Sequence, residues 1–310
     1  MPELVDTCPV CACNSFCAVE QLEDGRLNST YHACDGCGLV LMNPRPTAGE
    51  LSEYYRHVYW QDQSAPRPQP SGERPVRDVS ALRRKQASRA THIGKLLRRI
   101  LPAAGYPLAN VRTVLEVGSS FGETLCHISH LITSEGGRPQ LYGVEPNETA
   151  REAAAEAYQA IQLIGYDIDD LKSQSKTFDL ILLSHVLEHL PQPVQALRSV
   201  RERLADRGLL YVEVPNYYGH PSLDFAHNFC FTPLSLRNTL GAAGLRVVEL
   251  ELTGHPEAFP FYIIAVAAVV ANVSEEMQRE AAEVIRRGRA KAMEDFRDLR
   301  HRSPRPEAKG

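Results

Sequence analysis

Two cysteine pairs stand near the start of the chain, CPVC (Cys8, Cys11) and CDGC (Cys34, Cys37), about 22 residues apart. Four thiolates at this spacing can close a tetrahedral Zn2+ shell. A shell closed by four sulfurs keeps no position for a substrate, so the expected metal is structural. It would supply folding energy to a segment too small to bury its own core. Gly38 permits the tight turn that follows the second pair, and Ala12 holds the matching place after the first. Reduced thiols without metal are the alternative; a redox pair would need a βαβ context that this stretch lacks. Cys13 and Cys17 read as spare thiols, and Cys126 and Cys230 as small buried residues.

A second concentration of reactive groups is SHVLEHLPQP, where His185, Glu188 and His189 stand at i, i+3 and i+4. On a helical turn they would share a face. One histidine could then act as a general base, or the three could hold a divalent cation, or Glu188 and His189 could only orient the turn. DFAHNFCFTPLSL adds His227 with Phe229 and Phe231, a candidate lid over an acceptor, and Thr232 as a helix N-cap. Tyr217 and Tyr218, after EVPN, either line the same pocket or are ordinary loop aromatics.

VLEVGSSFGETL places Glu116, Gly118, Ser120 and Gly122 at a strand-to-helix turn. Small residues at alternate positions let a ligand approach the backbone. The dinucleotide fingerprint G-x-G-x-x-G is not met here, and there is no phosphate loop with its lysine. Glu116 instead closes the strand with a carboxylate, a poor neighbour for pyrophosphate and a good one for positive charge. Glu145 ends the next strand in LYGVEP, where a carboxylate can accept both hydroxyls of a ribose. Asp167, in IGYDIDDL, could accept from an adenine amino group, with Ile168 flanking the ring. The ligand these groups describe is an adenosine with a cationic, amino-acid-like tail.

Positioning them requires a regular scaffold, and the sequence has one. From about residue 112 apolar strand patterns alternate with helical ones: RTVLEVG, QLYGVEP, AIQLIGY, TFDLILLS and LLYVEVPN, with LRVVELEL and FYIIAVAAVV closing the series. Strands and helices in alternation imply an α/β fold with a parallel sheet covered on both faces. PVQALRSVRERLADRG reads as a helix begun by proline and stopped by glycine. VSALRRKQASRATHIGKLLRRIL reads as an amphipathic helix with its basic residues outward, and QDQSAPRPQPSGERPVRD as a linker. The 310 residues suggest about two domains. A net charge of −4 gives no general attraction to nucleic acid. No apolar run reaches about 18 residues and no export signal is visible, so the expected location is cytoplasmic.

In this order, Glu116, Gly118, Gly122, Glu145, Asp167 and FDLILLSHVLEHL resemble class I S-adenosylmethionine-dependent methyltransferases. Ser120 stands where their glycine motif has its middle glycine. The resemblance implies a Rossmann-like seven-stranded sheet in the order 3-2-1-4-5-7-6 with the last strand antiparallel. It also implies S-adenosylmethionine as cofactor and adds Phe121 and Ser184 to the cofactor residues. Of the histidines, it implies His185, His189 and His227 near the methyl group. With the cysteine-rich start, the chain resembles bacterial small-molecule methyltransferases of sugar and natural-product pathways. Expected boundaries are 1–60 for a zinc ribbon, 61–79 for the linker, 80–273 for the methyltransferase domain and 274–310 for a charged helix and tail. The expected reaction is methylation of a small hydroxyl-bearing acceptor, with O-methylation favoured and no membrane partner. RNA methylation, weakly favoured by the basic helix and tail, and a binding protein without turnover are the alternatives.

Overall fold

Three short antiparallel strands carry the cysteine pairs: β1 (Phe16–Gln21), β2 (Thr30–Cys34) and β3 (Val40–Asn43). They belong to a computed structural model that describes residues 2–22, 27–59, 79–103, 105–220, 223–254, 260–269 and 277–302. The expected linker 61–79 lies outside the described residues except for Val79, and the end of the basic tail, 303–310, lies outside them too. After β3, Thr47 caps α1 (Ala48–Glu53) through a reciprocal hydrogen-bonded box with Glu50, and one wide turn, Tyr54–Val58, prolongs it.

The main scaffold follows. It comprises α2 (Val79–Ala103), β4 (Thr113–Val117), α3 (Glu123–Ser134), β5 (Gln140–Val144), α4 (Glu148–Ala157), β6 (Ile161–Gly165), β7 (Phe178–Ser184), α5 (Pro193–Arg201) and β8 (Leu204–Pro215). Then come β9 (Phe229–Cys230), α6 (Pro233–Ala242), β10 (Leu245–Thr253), β11 (Tyr262–Val269) and α7 (Ala282–Arg302). Seven strands form one mixed sheet in the order β6-β5-β4-β7-β8-β11-β10. Counted within the sheet, this is 3-2-1-4-5-7-6, and β11 runs antiparallel to both neighbours, as expected.

Both faces of this sheet are apolar, which is why its central strands read as continuous hydrophobic runs. Along β7, Leu180 and Leu182 face a core built with Ile93 and Leu97 of α2 and Ile128 of α3. Ile181 and Leu183 face the opposite core, with Leu197 of α5 and Leu236 of α6. That second core also contains Leu39 and Leu41. The cysteine-bearing sheet takes its fourth strand, β9, from the middle of the main scaffold, and α7 packs over β1 and β2.

Two local expectations are corrected. The helix expected to run to Gly208 ends at Arg201, and Leu204 already begins β8. A Cβ at Gly208 would stand 2.7 Å from the Phe178 carbonyl oxygen, so this glycine serves a close strand approach at a register shift and not a helix stop. The basic helix α2 is not basic on its outer face alone: Arg89 is turned toward the sheet, and Arg83 pairs with Glu123. Among the described residues no helix is long and apolar enough to cross a membrane.

Candidate active site

The turn after β4 is fastened to β5, because the Gly118 and Ser119 amides donate to the Val144 carbonyl at 2.8 and 3.1 Å. Gly118 has φ +74°, and a Cβ there would stand 2.7 Å from Cγ2 of Val186. Gly122, at φ +84°, is the left-handed N-cap of α3. Between them Ser120 adopts φ 49°, a left-handed conformation that costs a non-glycine residue about 1–2 kcal/mol. Two contacts hold it there: its amide donates to Glu145 Oε2 at 2.7 Å, and its hydroxyl accepts from Gln86 Nε2 at 2.6 Å. Glu145 Oε1 accepts from the Asn147 amide at 3.0 Å, so this carboxylate is clamped from both sides.

A cavity of about 400 Å³ opens over this turn. Glu116, Gly118, Ser120, Glu145, Asp167, Ile168 and Ser184 all line it. Asp167 also caps the short 3-10 helix Ile168–Ser173 by accepting from the Asp169 amide. Phe121 and Gly122 are not on the wall; Phe121 is buried in the turn. Glu116 is 3% exposed and its Oε2 has no hydrogen-bond partner among the described residues. Burial drives its carboxyl well above the usual carboxylate range, with Thr124 and the Arg89 charge opposing. An unpaired buried carboxyl at a glycine turn suits a cationic ligand group and not a phosphate.

The segment after β7 departs from expectation. Only Leu187–His189 forms a 3-10 turn, and His185 precedes it at φ 55°. His185, Glu188 and His189 therefore do not share one α-helical face. His185 Nε2 donates to Glu213 Oε1 at 3.1 Å, and its Nδ1 lies 3.3 Å from Glu188 Oε1. Burial and Arg89 work against the imidazolium, but the two carboxylates outweigh them and raise the His185 pKa. Glu213 also accepts from the Tyr211 hydroxyl at 2.7 Å, and Arg89 Nε lies 3.4 Å away. Burial alone would raise the Glu213 pKa; the His185 hydrogen bond and the Arg89 charge overcome that and bring it down to about 2.

His189 turns the other way. It lines the cavity, and its Nδ1 donates to the Ala226 carbonyl at 2.9 Å, which leaves the lone pair on Nε2. His227 lies behind it, ring centroids 4.9 Å apart, and is not on the cavity wall. Burial, reinforced by His189, lowers the His227 pKa to about 3, so its ring is neutral. Phe229, Phe231 and Tyr217 are buried packing residues, so the expected aromatic lid is absent at these positions. Tyr55 and Tyr59 line the cavity instead.

Sequence reading missed Ser119, Gln86, Arg89 and Glu213. Glu213 carried a signal, an acidic residue inside the apolar strand LLYVEVP. Arg89 carried none, because it sits in a helix whose many basic residues hide the one that turns inward.

At the other end of the chain the four cysteines converge. One sulfur from each of Cys8, Cys11, Cys34 and Cys37 lies within 4.8 Å of all the others. Cys8–Cys37 and Cys11–Cys34 approach to 3.7 and 3.4 Å, near the roughly 3.8 Å edge that a tetrahedron of 2.3 Å Zn–S bonds requires. All are free thiols. The two turns match: Ala12 and Gly38 are both left-handed, and their amides donate to the carbonyls of Cys8 and Cys34. The donor set fits zinc.

A family model described as a methyltransferase domain matches residues 85–250, that is 166 of the 310 residues. No curated protein sequence matches the chain. Solved structures with a similar fold include a SAM-dependent methyltransferase from Archaeoglobus fulgidus (22% identity, 61% of this chain and 99% of that one, TM-score 0.46). Magnesium protoporphyrin IX methyltransferase from Synechocystis PCC 6803, with bound SAH, is another (13% identity, 72% and 100%, TM-score 0.49). So is the CcbJ methyltransferase from Streptomyces caelestis (18% identity, 53% and 91%, TM-score 0.44).

Proposed function

The chain belongs to the methyltransferase-domain family and is a SAM-dependent methyltransferase, and we propose that it methylates a hydroxyl group of a small acceptor, a sugar or secondary metabolite. The observation that carries this reading is one cavity wall shared by His189 and by Glu116, whose Oε2 has no hydrogen-bond partner among the described residues. S-adenosylmethionine supplies a methyl group already activated as a sulfonium. Glu116 is placed for its ammonium group, Glu145 for the ribose hydroxyls, Asp167 for the adenine amino group and Ile168 for the ring face. Glu145 is pre-oriented by the Ser120 and Asn147 amides, so binding need not order it.

The protein's share of such a reaction is alignment, exclusion of water and handling of the hydroxyl proton. His189 lines the cavity and is placed to take the acceptor's proton. His185 has both nitrogens directed at carboxylates, and its part is to hold Glu213 and Glu188 in place. The four cysteines hold a structural Zn2+ in this reading, and they contribute no group to the cavity.

A labelled-methyl transfer screen over nucleotide sugars, other hydroxylated metabolites, phenols and RNA tests the proposal. Label on a hydroxyl oxygen of a small molecule is the expected result. Transfer to RNA, with binding that weakens steeply in salt, would overturn it.

A further inference from the structure

We propose that Asn147 is a positioning residue for the acceptor: it holds the aromatic wall carried by the wide turn Tyr54–Val58 in place beside the ribose clamp, Glu145. Asn147 is buried, and its polar groups are all engaged. Its amide donates to Glu145 Oε1 at 3.0 Å, and its Oδ1 accepts from the Ala150 amide at 3.0 Å, which caps α4. Its Nδ2 donates to the Arg56 carbonyl at 2.6 Å and to the Tyr55 carbonyl at 3.3 Å, across 91 and 92 residues of chain. Capping needs only the oxygen, and serine or aspartate would serve it equally well. The two contacts of the nitrogen are what capping does not explain.

The turn held in this way presents aromatic rings to the cavity. The Tyr59 amide donates to the Tyr54 carbonyl, which makes this turn one residue wider than an α-helical one. Tyr55 and Tyr59 both line the cavity, with ring centroids 5.1 Å apart. The Tyr55 ring also lies 5.1 Å from that of His189, the group placed to take the acceptor's proton. The Tyr55 hydroxyl is buried and has no hydrogen-bond partner among the described residues. Such a hydroxyl is costly until something pairs with it, and a polar group of the acceptor completes it.

Tyr55 is therefore the acceptor contact, and Asn147 acts through it. One residue grips the ribose carboxylate with its backbone and the acceptor wall with its side chain. Cofactor and acceptor are thereby set in register with each other, as in-line transfer requires. The inference rests on reading this cavity as a methyltransferase site with the acceptor beside His189.

The test compares full-length wild type, Asn147→Ser, Tyr55→Phe and the exposed control Thr149→Ala. Serine keeps the cap and has no N–H group to hold the turn. The first readout is label transfer from S-adenosylmethionine to the small-molecule acceptor that the screen returns. Asn147→Ser and Tyr55→Phe are expected to raise the acceptor KM roughly tenfold, the worth of one or two hydrogen bonds, with the S-adenosylmethionine KM within about twofold of wild type. A purely structural role would move both KM values or neither, and either result in Asn147→Ser overturns the proposal. The second readout is tryptic cleavage after Arg56, followed by mass spectrometry. Arg56 is exposed, and cutting its peptide bond requires the turn to open. Cleavage should be several-fold faster in Asn147→Ser than in wild type and Thr149→Ala. Should Asn147→Ser fail to fold by circular dichroism, Asn147→Asp, which keeps a capping oxygen and also lacks the donors, takes its place. A screen that returns no product overturns the proposed function instead. The cleavage rate then decides the anchor by itself: faster cutting in Asn147→Ser upholds it, and an unchanged rate overturns it.

Discussion

Leu41 of β3 is the ladder partner of Phe229 in β9, so the cysteine-bearing sheet holds the strand that begins two residues after His227. The attachment is polar as well. The Tyr31 hydroxyl donates toward the carbonyls of Asp224 and His227 at 2.9 and 3.0 Å. The Met42 amide donates to the Asn228 carbonyl at 3.0 Å, and Asn228 Nδ2 donates to the His189 carbonyl at 2.6 Å. The three cysteine-bearing strands, with no residue of their own on the cavity wall, thereby fix two histidines of the site.

Tyr31→Phe tests that linkage. It strips a buried donor from two carbonyls, at a cost of about 1–3 kcal/mol. The expected result is a melting temperature lower by several degrees and a raised KM for the acceptor. Affinity for S-adenosylmethionine, measured by calorimetry, should stay within about twofold, since its wall belongs to other strands.

Cys37→Ser should lose the zinc equivalent assigned to the cysteines and unfold at much lower temperature. Structural zinc contributes on the order of 10 kcal/mol to small modules. Metal content and thermal melting check this; a fully zinc-free variant with an unchanged melt would remove the metal from the folding account.

Gly118→Ala meets two obstacles. The left-handed backbone penalises any Cβ by about 1–2 kcal/mol, and Val186 Cγ2 would be only 2.7 Å away. Cofactor affinity is expected to fall at least tenfold, and the added change Val186→Ala should restore part of it. Equal affinity in the single and double variants would show that the clash is not what matters.

Glu116→Gln separates stability from function. Its folded pKa is raised, so its contribution to stability is present below the unfolded value and is lost as pH rises. At neutral pH the ligand-free variant should therefore melt higher than wild type. Cofactor affinity should drop by roughly 10- to 100-fold, the worth of a charged hydrogen bond.

Glu213 has the opposite sign. Its folded pKa, about 2, lies below the ordinary glutamate value of about 4.3. The stability it supplies is present above that ordinary value and fades as pH falls toward 2, an effect of about 3 kcal/mol. Denaturant midpoints measured across this window should fall more gently in Glu213→Gln than in wild type.

A parallel sheet covered on both faces was legible because apolar runs and helix patterns alternate; its strand order came from the resemblance to class I methyltransferases. The acidic residues Glu116, Glu145 and Asp167 were legible because they stand at the C-terminal ends of strands, beside the crevice where ligands bind in such sheets. The paired cysteines declared themselves by spacing. What no spacing could settle was the side-chain direction of the residues between elements. A single left-handed residue, His185, sets its ring between Glu213 on β8 and Glu188. Arg89, on a helix rich in basic residues, faces inward only because α2 packs on the sheet beside Glu213. Local sequence sets periodicity and turn chemistry, whereas a site assembled from several separate segments exists only once burial has brought them together.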